Sequence, residues 1–149
     1  DIESEGKKVD KKTINFIHEN KTAKLIRICV RFGAIAGGAP AGELKLIEEY
    51  GSCVGMAFQI TDDTLDYMAR EEDFGKAIGK DLEEGKMTLP LIYTLARCSQ
   101  TERNMIKNTI QNKSFSSETI RKIFALVQKS GGIDYSLNRA QTFIKEALH

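Results

Sequence analysis

Gln59, Asp62, Asp63 and Asp66 stand at i, i+3, i+4 and i+7 of the stretch Gln59-Ile60-Thr61-Asp62-Asp63-Thr64-Leu65-Asp66. On an amphipathic helix those positions usually form the apolar stripe. Here they make a polar face, with an amide followed by three carboxylates. Val54, Phe58, Leu65 and Met68 recur on another side, so the helix is expected to pack on one side and line a cavity with the other. Clustered carboxylates repel one another and are expensive to desolvate, so a cation is expected among them. Oxygen-only ligands select a hard divalent ion. A set that fills only part of an octahedron suits Mg²⁺ shared with a phosphate-bearing ligand.

Acidic pairs one helical turn apart also occur on solvated faces, and that reading competes with a metal site. The spacing lacks the alternating Asp/Asn positions and central glycine of a calcium-binding EF-hand. The segment that follows, Tyr67 to Thr88, favours the metal. It holds Gly75, Gly79 and Gly85 together with Lys76, Lys80 and Lys86. A connection of that length within a compact domain is usually functional or disordered. Glycines admit close backbone approach, and lysines supply compact positive charges for phosphate. Carboxylates followed by a glycine-lysine loop describe a metal-diphosphate site.

The run Phe58-Gln59-Ile60-x-Asp62-Asp63-x-Leu65-Asp66, then Gly75-Lys76, Gly79-x-Asp81-Leu82 and Glu84-Gly85-Lys86-x-Thr88-Leu89-Pro90, resembles the trans-isoprenyl diphosphate synthases, the polyprenyl synthetases. It is similar to that family's second aspartate-rich motif and the loop after it. Upstream, Lys21-Thr22-Ala23 with Leu25 looks like the family's Lys-Thr motif. The resemblance implies condensation of an allylic diphosphate with isopentenyl diphosphate, with Mg²⁺ as cofactor. It implies metal binding by Asp62, Asp63 and Asp66, with Asp62 the direct ligand and the other two acting through water or as supports. It implies catalytic roles for Lys21, Thr22, Gln59 and Lys76. Lys21 and Lys76 would grip diphosphate oxygens, and Lys86 would be a weaker contact. Thr22 and Gln59 would hold the carbocation end through their oxygen dipoles. A homodimer is also expected, and the scattered cysteines Cys29, Cys53 and Cys98 suggest a cytoplasmic location.

The elements that must position these residues all read as helices, and the expected fold class is all-α, a helical bundle of the isoprenoid synthase type. Residues 1 to 10 are polar and expected to be a loop. Helices are expected from about Thr13 to His18, from Lys21 to Ile35 with the stripe Leu25, Ile28, Cys29, Phe32, Ile35 and Ala36, and from Pro40 or Ala41 into the aspartates. Gly37-Gly38 ends the second. Further helices are expected from Leu89-Pro90, over Thr101 to Asn112, over Ser117 to Lys129 with Ser116 as cap, and through Ile133, Leu137, Ala140, Ile144 and Leu148. Phe32, Phe58 and Tyr67 are expected to pack, Lys80 to lie on the surface, and the last helix to be plain core.

A net charge of +1 offers no electrostatic case for nucleic acid or an anionic membrane surface. No apolar run reaches the length of a membrane span. Cys29, Cys53 and Cys98 are odd in number and widely spaced, which suggests buried reduced thiols. His18 and His149 are too scattered for a zinc site or a histidine-based triad.

At 149 residues the chain is about half of what the resemblance implies, and no first aspartate-rich motif precedes Lys21. The expectation is the C-terminal portion of a single isoprenoid synthase helical domain, with exposed apolar faces where the rest would pack. Alternatives are a short-chain (geranylgeranyl or farnesyl) synthase, a non-catalytic partner subunit of a heteromeric synthase, a terpene cyclase, or a structural bundle. The cyclase lacks its usual Asn/Ser/Glu metal pattern here, and the structural bundle leaves the glycine-lysine loop without a purpose. The loop's spelling leans toward a longer-chain product.

Overall fold

The structure, a computed structural model, describes residues 11–68 and 79–149. The loop expected over residues 1 to 10, and Gly75 and Lys76, lie outside the described residues. The elements are α1 (Lys11–His18), a π-helical turn (Glu19–Ala23), α2 (Lys24–Ala36), α3 (Ala41–Leu65), α4 (Lys80–Glu83), α5 (Leu89–Leu95), α6 (Gln100–Gln111), α7 (Ser117–Lys129) and α8 (Gly132–Ala147). Among the described residues there is no strand, and the chain is all-α.

Local chemistry sets the boundaries. Gly38, at φ +78°, carries α2 out of the helix, with its N–H bonded to Ile35 O. Only glycine adopts that left-handed backbone at little cost. Pro40 then opens α3 in an extended conformation. Ser99 and Glu102 form a reciprocal capping box at α6, and Ser116 caps α7 by accepting from the Thr119 N–H. Two expectations are revised. α1 and α2 are not separate helices, because the residues flanking the π turn at both ends stay right-handed helical. A short helix, α4, also interrupts the loop before α5.

α3 is the central element, packed against α2 and the π turn and also against α8; α5 and α7 pack on α8. One core cluster holds Tyr67, Leu82, Leu91, Ile106, Ile120, Ile123, Phe124 and Val127. A second joins Ile14, Ala57, Ile60, Leu89 and Ala140. The contact between α3 and the preceding helix depends on two glycines. A Cβ added at Gly55 would lie 2.4 Å from Ala23 Cα, and one at Gly51 would lie 2.5 Å from Val30 Cγ2 and 2.9 Å from Arg27 Cα. The helices therefore touch backbone to backbone, which brings the π turn against the middle of α3.

The expected apolar stripe of α2 does not face this core. Leu25 and Phe32 are about two-thirds exposed, and Ile28 and Ile35 are exposed too. Phe58 and Leu65 on α3, Met68 just beyond it, and Ile144 and Leu148 at the end of α8 are likewise exposed. α3 packs instead through Gly51 and Gly55 against the preceding helix and, on its opposite side, through Ala57 and Ile60 against Leu89 and Ala140. Of the three aromatic residues expected to pack, only Tyr67 does so, against Phe124 with ring centroids 5.0 Å apart. Cys29 is exposed, not buried, and all three cysteines are free.

Tyr67 links this core to the site. Its hydroxyl shares a 2.9 Å hydrogen bond with Thr88 Oγ1, and both residues are buried. Tyr67→Phe is expected to lower unfolding free energy by about 1 kcal/mol, because the Thr88 hydroxyl loses its buried partner. Urea denaturation followed by circular dichroism measures this.

Candidate active site

The π turn carries the Lys-Thr pair and places it beside α3. Its wide turn lets the Lys24 N–H bond to Glu19 O, five residues back. Insertions of this kind are frequent at functional sites because they re-aim the side chains on the turn. Ala23 is buried against Gly55, so the next-door Thr22 faces Gln59, one turn further along α3.

A chain of hydrogen bonds follows. Thr22 Oγ1 donates to Gln59 Oε1 at 2.5 Å, and Gln59 Nε2 donates to Asp63 Oδ1 at 2.7 Å. The second carboxylate oxygen of Asp63, Oδ2, lies 2.9 Å from His18 Nε2. His18, Gln59 and Asp63 are all buried. Asp63 is thus turned into the helix interface, with a protein partner on each oxygen.

The three aspartates diverge. Asp62 is exposed, and its carboxylate makes no hydrogen bond or ion pair among the described residues. Asp66 is directed at the loop. Its Oδ1 accepts from the Gly79 N–H at 3.0 Å and its Oδ2 from the Asp81 N–H at 3.2 Å. Burial pushes the Asp66 carboxyl above the usual range and the charge of Asp81 adds to this, while backbone N–H groups of residues 79 to 81 pull the other way. Among the described residues, no three His, Cys, Asp or Glu side chains gather closely enough to hold an ion by themselves.

Lys21 is exposed on the π turn, and Lys76 lies outside the described residues. Lys86 is held by Glu84 Oε2 at 2.6 Å and Asp81 Oδ1 at 2.9 Å. These two carboxylates, Glu84 foremost, raise its pKa and keep the ammonium charged. Lys86 thereby ties the turn after α4 together in addition to any contact with a ligand. Lys80 lies on the surface, as expected.

Sequence reasoning missed His18, and it missed Gly51 and Gly55. The available signal was a ladder at four-residue spacing, Gly51, Gly55, Gln59 and Asp63, which puts two glycines on the same helix face as the amide and the buried carboxylate. His18 stands one turn before Thr22 in the sequence, a spacing that carries no signal by itself.

Asp66 pins the backbone of residues 79 and 81 to the end of α3. Asp66→Ala is expected to speed amide hydrogen exchange at Gly79 and Asp81 by about tenfold or more, since bonds to a charged acceptor contribute about 1.5–3 kcal/mol. Exchange at Ile106, in the core, should be unchanged.

Residues 1–127 match the family model described as Polyprenyl synthetase. The chain belongs to that family. It is 33% identical over 129 residues to the octaprenyl diphosphate synthase of Haemophilus influenzae, covering 87% of this chain and 39% of that protein. It is 34% identical over 128 residues to the geranylgeranyl diphosphate synthase of Sulfolobus acidocaldarius, covering 86% and 38%. Its fold superposes with TM-score 0.86 and 31% identity on the polyprenyl synthase of Caulobacter crescentus, a structure in complex with calcium and isoprenyl diphosphate, over 93% of this chain and 42% of that one. The chain spans about two-fifths of the length of these relatives. Among the described residues, no helix is long and apolar enough to cross a membrane.

Proposed function

We propose that the protein is a prenyltransferase that joins an allylic diphosphate to isopentenyl diphosphate, and that this chain is the C-terminal portion of its helical domain. The reading is carried by one observation: Asp62 is exposed, without a partner among the described residues, one turn along α3 from the Thr22–Gln59 pair. In the reaction the C–O bond of the allylic diphosphate breaks and its electron pair leaves with the diphosphate. The double bond of isopentenyl diphosphate attacks the allylic carbon, and loss of a proton restores a double bond.

The residues present fit Mg²⁺. This ion keeps several waters and takes one or two carboxylates plus phosphate oxygens, so a single open carboxylate suits it better than a closed cage. Asp62 would be the direct ligand. When bound, the ion supplies positive charge to the departing diphosphate. Lys21 and Lys76 would hold diphosphate oxygens, with Lys86 as a weaker contact. The oxygens of Thr22 and Gln59 present dipoles to the developing carbocation. Asp63 supports Gln59, and Asp66 holds the loop.

The loop's spelling supports a longer-chain product, with a geranylgeranyl or farnesyl product as the alternative. Chromatography of the dephosphorylated products distinguishes them. We place the protein in the cytoplasm as a homodimer. The test of function is an assay of the natural-length protein with an allylic diphosphate and labelled isopentenyl diphosphate. The expected result is chain elongation that needs Mg²⁺ and stops with a chelator. Absence of elongation, or elongation indifferent to the chelator, would contradict the reading.

A further inference from the structure

His18 is buried to within 1% of full enclosure, and the functional roles above make no use of it. Its Nε2 lies 2.9 Å from Asp63 Oδ2, forty-five residues away, and its buried Nδ1 has no hydrogen-bond partner among the described residues. A carboxylate oxygen accepts, so the facing Nε2 carries the hydrogen; a hydrogen on the buried Nδ1 would find no acceptor among the described residues, so that nitrogen keeps its lone pair. The same constraint applies to the amide of Gln59. Because Asp63 Oδ1 also accepts, the amide must present Nε2 to it and Oε1 to Thr22. The Thr22 hydroxyl then spends its one hydrogen on Gln59, and its oxygen is left with lone pairs alone.

We propose that His18 is a positioning residue that holds Asp63 where its carboxylate fixes the polarity of this chain of bonds. The proposal rests on the prenyltransferase reading. With His18 and Gln59 donating from either side, Asp63 cannot rotate toward the exposed Asp62 or release the amide. Every hydrogen in the chain then points toward Asp63, and the outer end shows only acceptor oxygen. An acceptor-only end favours developing positive charge, as an allylic diphosphate acquires when its C–O bond breaks, and it does little for the neutral allylic group beforehand. Without His18, the Asp63 carboxylate loses one of its two donors and is free to turn away from the Gln59 amide, which then loses the acceptor that orients it and Thr22.

The test compares two polar replacements in the natural-length protein. In His18→Gln the terminal amide nitrogen falls near the place of the imidazole Nε2 and still reaches Asp63. In His18→Asn it is one methylene short and does not. The expected result is a kcat for His18→Gln within about threefold of wild type and a kcat for His18→Asn lower by about tenfold or more. KM for both diphosphates should move by less than about threefold in each variant. Equal kcat values for the two variants, or a change confined to KM, would overturn the positioning role. Nitrogen NMR of histidine-labelled protein, with His18 assigned through the variants, gives a reading that does not depend on turnover. Protonated Nε2 with bare Nδ1 is expected, and the opposite tautomer would overturn the proposal even if His18→Asn did not fold. A wild-type protein with no elongation activity would instead overturn the prenyltransferase reading, and the positioning role with it.

Discussion

Asp62→Ala in the natural-length protein is expected to lower kcat by about a hundredfold to a thousandfold, a loss of about 3–4 kcal/mol of transition-state stabilisation. Stability should change by no more than about 0.5 kcal/mol, because the side chain is exposed and bonds to nothing among the described residues. The two effects separate because the Asp62 side chain is exposed, whereas the packing residues Ala57 and Ile60 are buried on the opposite side of α3. Its neighbour behaves differently. Asp63→Ala removes a buried acceptor shared by His18 and Gln59, so it should lower stability and turnover together. Steady-state kinetics and thermal denaturation of both variants check this, and equal stability loss in the two would contradict the assigned geometry.

Gly55→Ala should reverse the usual sign of a helical glycine replacement. Within a helix, alanine is ordinarily favoured over glycine by about 1 kcal/mol. At Gly55 the new methyl would lie 2.4 Å from Ala23 Cα, a backbone atom that cannot swing aside. The helices must separate, at an overpacking cost of about 1–3 kcal/mol that outweighs the propensity gain. The displacement also pulls Thr22 from Gln59, whose hydrogen bond is 2.5 Å long. A shift of about an ångström at such a site lowers turnover by about a hundredfold. Gly33→Ala is the control. It lies mid-helix in α2 with nothing within 4 Å of an added Cβ, so it should gain stability by about 0.5–1 kcal/mol. Chemical denaturation of both variants measures the contrast, and a stabilised Gly55→Ala would show that the helices are not held by this contact.

The helices were legible in the sequence because their boundaries are local chemistry. Gly37-Gly38, Pro40 and Ser116 mark ends that the structure keeps. The facing of the helices was less legible. The stripe from Leu25 to Ile35 is apolar at helical spacing, yet it lies exposed, because periodicity identifies an apolar face and not what covers it. Small residues do the packing at the central contact, and a hydrophobic pattern gives them little weight. The aspartates show the same division. Their spacing marked a site, but the π turn and the ring of His18 decide which carboxylate stays free, and both depend on contacts far apart in sequence.

The most direct measurement is a crystal structure of the natural-length protein grown with Mg²⁺ and a bisphosphonate. The account predicts an ion bound directly by the Asp62 carboxylate at about 2.1 Å and shared with the ligand's oxygens. It also predicts Asp63 still held between His18 and Gln59. An ion that leaves Asp62 untouched, or Asp63 rotated out to bind the metal, would contradict it.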